Sequence, residues 1–169
     1  MPSTTLRKQI MAGVRSIVVK AGTNLLTCDH GKLDQRVIAS LADQIATLIK
    51  GGVKVTLVSS GAVGAGMGKT GMLKRPRSMP VLQAAAAIGQ PSLMSLYERE
   101  FARHDLLVGQ VLVTRKDFER RNRYVNISNT IAALQRLKAV PIINENDTVA
   151  IDELDRFADN LAWLAGKLC

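Results

Sequence analysis

Aromatic residues are scarce in this 169-residue chain: one Trp, two Tyr and three Phe, 4% in all. Such a chain is poorly supplied with the stacking platforms on which single-strand nucleic-acid binders hold bases. Cysteine is nearly absent too. Cys28 and Cys169 are too few for a disulfide framework or a cysteine metal site, and they fit a reducing cytoplasm. No apolar run approaches the roughly 18 residues of a membrane-crossing helix, so no membrane span is expected. Met1–Arg15 contains no acid and no apolar core segment. It reads as a flexible N-terminal arm rather than a secretory signal. Acids are outnumbered, 14 against 23 Lys and Arg, for a net charge of +9. That excess favours anions, whether nucleic acid, a membrane surface, or phosphate and carboxylate substrates. Apolar residues supply 47% of the chain, enough for one domain with a real core.

The stretch that organises the chain is Val53–Gly66. Val53–Val58 is an apolar, β-branched run of strand length. It breaks into Ser59-Ser60-Gly61 and then a small-residue helix start, Ala62 to Gly66. Backbone can approach a ligand closely at Gly, and N–H groups at a helix start point outward, so this is a place for an anion. Beyond it, Gly68-Lys69-Thr70 lacks the leading Gly of a Walker loop, because Val63 stands there. Gly66-Met67-Gly68-Lys69-Thr70-Gly71 has dinucleotide-fingerprint spacing, but it lies too far beyond the strand to serve as one.

Upstream, Ser16–Lys20 reads as a short buried strand ending in Ala21-Gly22-Thr23-Asn24. Lys20 thus stands at a strand's carboxyl end beside a glycine, where open α/β sheets bind ligands. Leu33–Lys50 reads as a helix capped by Asp34 and stopped by Gly51-Gly52. Together these segments make a β-α-β unit, which favours parallel strands. Downstream, Leu73–Pro80 is a mobile basic loop. Val81–His104 is helical, with Gly89-Gln90-Pro91 expected to break it and Ser92 to cap a second helix. Its alanine-rich part, Gln83–Ile88, suits close packing in the core or across a subunit interface. Leu106–Thr114 is a third strand. Arg115–Arg123 is basic but interleaved with Asp117 and Glu119, as in a solvated helix start. Asn126–Lys138 is a helix with Ile127, Ile131, Leu134 and Leu137 inward. His30 and His104 fall in no motif, and no metal site is expected.

Val140–Asn144 reads as a fourth strand ending in the polar run Asn144-Glu145-Asn146-Asp147-Thr148. Those donors and acceptors suit a small ligand with both an ammonium and a carboxylate; an Asx-rich turn capping its own backbone is the alternative. Asp159-Asn160 then opens a last helix, Leu161–Leu168. Strand ends therefore present Lys20-Ala21-Gly22, Ser59-Ser60-Gly61 and Asn144–Thr148. A lysine beside glycines suits phosphoryl transfer, a chemistry of positioning and charge stabilisation.

The ordered series Val-Val-Lys-Ala-Gly (18–22), Leu-Val-Ser-Ser-Gly-Ala-Val (57–63), Gln-Ala-Ala-Ala-Ala-Ile-Gly-Gln (83–90), Leu-Val-Thr-Arg-Lys-Asp-Phe (112–118) and Pro-Ile-Ile-Asn-Glu-Asn-Asp-Thr-Val-Ala (141–150) resembles the glutamate 5-kinases of the amino acid kinase family. The resemblance runs from about Ser16 to Asn160. It implies an α/β fold, a three-layer αβα sandwich with a mainly parallel sheet. It also implies transfer of the ATP γ-phosphate, with Mg²⁺ accompanying the nucleotide, to the side-chain carboxylate of L-glutamate, the first step of proline biosynthesis. Carried over by motif, Lys20 would stabilise the transferring phosphoryl group with Gly22 beside it. Ser60 and Gly61 would hold glutamate, Asp147 would take its ammonium, and Asn160 would bind it with Asp159 alongside. The loop Leu73–Pro80 would lie in the region associated with feedback inhibition by L-proline. A cytoplasmic homo-oligomer, with no nucleic-acid or membrane partner, is expected.

The family's Gly-Asp-Asn-Asp motif is shortened here, since Ala158-Asp159-Asn160 runs straight into Leu161. Residues 16–169 match the family's N-terminal, substrate-binding portion, and its nucleotide-binding portion is expected to be absent. A non-catalytic glutamate-binding or regulatory module, and a kinase for aspartate or N-acetylglutamate, are the alternatives.

Overall fold

The computed structural model describes residues 12–28, 32–149 and 166. Four strands, β1 (Ser16–Ala21), β2 (Lys54–Ser59), β3 (Leu107–Val113) and β4 (Ala139–Glu145), lie parallel in one sheet in the order β1-β2-β4-β3. The helices among the described elements are α1 (Thr23–Leu26), α2 (Gln35–Lys50), α3 (Ala62–Thr70), α4 (Met79–Ala102), α5 (Arg115–Glu119) and α6 (Arg121–Arg136).

Burial follows strand position. Every residue of β4 is buried, and every residue of β2 after Lys54, as central strands covered on both faces must be. Alternate side chains then feed two separate cores. Val19, Ala21, Leu57, Val140 and Ile142 pack against Ile38, Ala42 and Ile45 of α2 and Leu93, Tyr97 and Phe101 of α4. On the opposite face Val18, Val58, Val111 and Ile143 meet Ile127, Ile131 and Leu134 of α6 and Phe118 of α5. These are the three αβα layers that the sequence led us to expect.

Local chemistry sets the element ends. The Asp34 carboxylate accepts from the backbone N–H of Arg36 (2.9 Å) and Val37 (3.2 Å), capping α2. Lys54 N–H donates to the Arg15 carbonyl at 2.9 Å, so the chain is already tied to the sheet at the end of the basic N-terminal stretch. Residues 1–11 of the expected arm lie outside the described residues.

Three expectations are corrected. Gly89-Gln90-Pro91 does not break the helix, because α4 is continuous through Pro91. Its buried residues Leu82, Ala85, Ala86, Gly89, Leu93, Leu96, Tyr97, Glu100 and Phe101 keep one helical phase across the proline, and that tertiary stripe outweighs the hydrogen bond that Pro91 removes. The carbonyl left over belongs to Ala87, which is exposed and open to water. Leu137 is not inward: it caps the C-terminus of α6 and is 69% exposed. Glu145 is not a loop residue: β4 runs one residue past the expected strand end at Asn144, and both side chains are buried.

Candidate functional site

Parallel pairing puts every strand's carboxyl end on one edge of the sheet. Register aligns Lys20 with Val58 and Ala21 with Ser59, and Val58 in turn with Ile143. The pairing continues a step past the strands. Ser60 N–H donates to the Ala21 carbonyl (2.9 Å), and Asn146 N–H to the Val113 carbonyl (2.8 Å). Lys20-Gly22, Ser60-Gly61 and Asn144–Asp147 therefore stand in that order along one edge, at the ends of β1, β2 and β4. The structure brings these together as the sequence reading expected. Asp159, Asn160 and the expected helix Leu161–Leu168, apart from Gly166, lie outside the described residues, as does His30.

The pleat divides the edge into two faces. Lys20, exposed, shares the α6 face with Val58 and Ile143, while Ser59 and Asn144 face α4. Tyr97 OH and Ser59 Oγ lie 2.9 Å apart in a buried hydrogen bond. Burial pushes the Tyr97 hydroxyl up to about 12, against the opposing pull of Ser59, so the phenol stays protonated. Asn144 Nδ2 donates to Gln90 Oε1 at 2.8 Å, and Asn144 Oδ1 accepts from Glu145 N–H at 2.9 Å. One helix thus braces the ends of both central strands.

Ser60 leads directly into Gly61, the N-cap of α3, at φ 100°. A side chain would be strained in that left-handed conformation. The turn it permits aims the unpaired N–H groups of the first turn of α3 at the edge, a favourable setting for an anion. A Cβ built on Gly22 meets nothing within 4 Å, so the backbone beside Lys20 is open to a ligand's approach. The glycines further along α3 do other work. A Cβ on Gly66 would fall 1.7 Å from the Ala85 carbonyl oxygen, and one on Gly89 would fall 1.9 Å from that of Ala62. Gly66 and Gly68 are helical, which disposes of both the Walker and the dinucleotide readings. The alanine-rich part of α4 is the partner in this close packing.

Asp147 closes the edge. Burial pushes its carboxyl up to about 6, opposed by the guanidinium of Arg75. The positive charge of the 71–78 loop is thus felt at Asp147. Sequence reasoning had given no role to Arg75, Gln90 or Tyr97. The one signal available for the last two was the unbroken phase of α4. Among the described residues, no group of three or more His, Cys, Asp or Glu could hold a metal ion. No helix among them is long and apolar enough to cross a membrane.

Comparison with known proteins places this edge in context. The sequence profile of the amino acid kinase family matches residues 15–167. The chain is 49% identical over 154 residues to a protein named glutamate 5-kinase from Moorella thermoacetica, covering 89% of this chain and 39% of that one. It is 50% identical over 151 residues to a glutamate 5-kinase from Ralstonia pickettii, covering 89% and 40%. The chain thus spans about 40% of the length of these curated relatives. Among solved structures, a carbamate kinase from Giardia superposes with a TM-score of 0.55 at 15% identity, covering 92% of this chain and 72% of that one. A Giardia lamblia carbamate kinase bound to AMP-PNP gives 0.54 at 19% identity, covering 94% and 69%. At those identities the likeness concerns the fold alone. Parallel sheet, layered helices, ordered motifs and profile agree: this chain belongs to the amino acid kinase family.

Proposed function

We propose that the strand-end edge holds L-glutamate for phosphorylation of its side-chain carboxylate by ATP, giving γ-glutamyl phosphate for proline biosynthesis. The observation that carries this reading is the gathering of Lys20, Ser60-Gly61 and Asp147 on one edge, in a chain 46–50% identical to proteins named glutamate 5-kinase. Each group has a chemical task. The Lys20 ammonium would offset negative charge on the phosphoryl group in flight, and open backbone at Gly22 would allow the phosphates close approach. Ser60 and the first N–H groups of α3 would hold a glutamate carboxylate. Asp147, poorly solvated when alone, would regain a counter-charge from the substrate ammonium. ATP supplies the phosphoryl group, and Mg²⁺ would arrive with the nucleotide. Asp159 and Asn160 complete the proposed substrate set.

The same reading includes L-proline as feedback inhibitor. It is supported by the charge of Arg75 in the basic loop, which acts on Asp147, where a second amino acid would compete for the same carboxylate. A cytoplasmic homo-oligomer also belongs to it, supported by Leu107, Leu112 and Leu137 exposed at and beside the edge strand β3; light scattering reads the oligomeric state.

Incubation of a full-length version of the protein with glutamate, ATP, Mg²⁺ and hydroxylamine tests the activity. γ-Glutamyl hydroxamate should form, and Lys20→Ala should abolish it. Hydroxamate from another acceptor but not from glutamate would overturn the substrate assignment. A second reading, glutamate binding without phosphoryl transfer, rests on Ser60-Gly61 and Asp147 alone, the amino-acid-holding groups of the strand-end edge. It predicts glutamate binding with no hydroxamate and no ATP binding.

A further inference from the structure

A cavity of about 640 Å³ is lined by residues outside the strand-end edge. It lies between the segment leading into α2, the far end of α3, and the middle of α4. Lys32, Lys69 and Arg99 line it, one cation from each of these elements, with Gln35, Ser92 and Ser95 as neutral hydrogen-bonding groups. No Asp or Glu is among its described lining residues, and neither are Lys20, Ser60 or Asp147. Three chain segments thus deliver an excess of positive charge to one concavity, a setting that attracts an anion.

Arg99 is the prepared member. Its guanidinium is held by Glu100 at 2.9–3.0 Å and reaches Gln35 Oε1 at 3.4 Å. Glu100 also takes Arg103 at 2.9 Å, and that bond, ahead of the Arg99 contacts, holds its carboxyl below the usual range despite burial. Arg99 is therefore positioned without being neutralised by a carboxylate of its own. Lys32 and Lys69 make no ion pair with the described residues. The volume suits a small molecule, and cations with hydroxyl and amide groups suit an anion that accepts several hydrogen bonds.

We propose that this cavity binds a small, multiply charged anion, a polycarboxylate or a polyphosphate, at a site separate from the strand-end edge. Its occupant would bridge α3, which begins at Ser60-Gly61, and α4, which holds Asn144 and Ser59. Calorimetric titration of the chain with citrate and, separately, with pyrophosphate tests this without glutamate or ATP, so its outcome is independent of the glutamate reading. Saturable binding of one anion per chain is expected with at least one of the two, and whichever binds tighter names the source chemistry. Lys69→Gln and Lys32→Gln should each weaken it roughly tenfold, the cost of one charged hydrogen bond. Lys20→Ala, at the strand-end edge, and Lys54→Gln, at the opposite end of β2, should leave it unchanged. No saturable binding of either anion, equal affinity in all four variants, or loss in Lys20→Ala would overturn the proposal.

Discussion

Asp147 carries two opposed duties. Its carboxyl is pushed up to about 6 by burial, against an ordinary value near 3.9. The folded chain therefore holds this proton more tightly than the unfolded one. The resulting stabilisation is complete below about pH 4 and is lost as pH rises through about 6, for a total of about 3 kcal/mol. Asp147→Asn should therefore stabilise the free chain at pH 7.5, by up to that amount, and change little at pH 4; urea denaturation at the two pH values checks both. The same variant should lose glutamate binding. In the wild type, affinity should fade as pH drops below 6 and the carboxylate is neutralised. A smaller test concerns the brace. Tyr97→Phe removes this bond, leaving the Ser59 hydroxyl its 3.2 Å donation to the Ser60 carbonyl, and should cost about 1 kcal/mol, read as a lower urea midpoint. At this scale the sequence was informative about type and poor about partnership. Lys20, Ser60 and Asp147 are legible because charged or polar residues abruptly follow apolar strands. That Asn144 turns to Gln90, or that the charge of Arg75 acts on Asp147, depends on neighbours 54 and more residues apart, which no local pattern encodes.

Among the elements, the α3–α4 contact is the most demanding. Gly66 and Gly89 let two helix backbones approach so closely that an added Cβ would overlap a carbonyl oxygen of the other helix. Gly66→Ala and Gly89→Ala should each destabilise by about 3 kcal/mol, despite alanine's better helix propensity. Thermal melts of the two variants check this, and an unchanged or raised Tm would contradict the packing described. The sequence shows small residues here and so suggests close packing, but it does not say which helices meet. It misleads at Pro91, where local chemistry forecasts a break and the long-range apolar stripe keeps the helix whole. Counting the phase of Leu82, Ala85, Gly89, Leu93, Leu96 and Phe101 across the proline would have found the continuous helix. Leu137 errs the other way: it keeps helical spacing, but the helix ends at Arg136 and leaves it without a layer to enter.

For the molecule as a whole, the decisive fact is that all four strands run parallel. Alternating strand and helix patterns made that legible, because short connections with intervening helices leave few other topologies. The order β1-β2-β4-β3 was not legible, and it is what seats β4 beside β2, so that Asn144–Asp147 arrives next to Ser60-Gly61. The edge itself is central: in a chain that spans about 40% of the length of its relatives, these groups are proposed to hold the amino acid. Calorimetric titration with L-glutamate at pH 7.5 tests that most directly. The account predicts saturable binding at one site per chain, lost in Asp147→Asn and retained in Lys69→Gln. Binding that survives Asp147→Asn unchanged, or no binding to the wild-type chain, would contradict it.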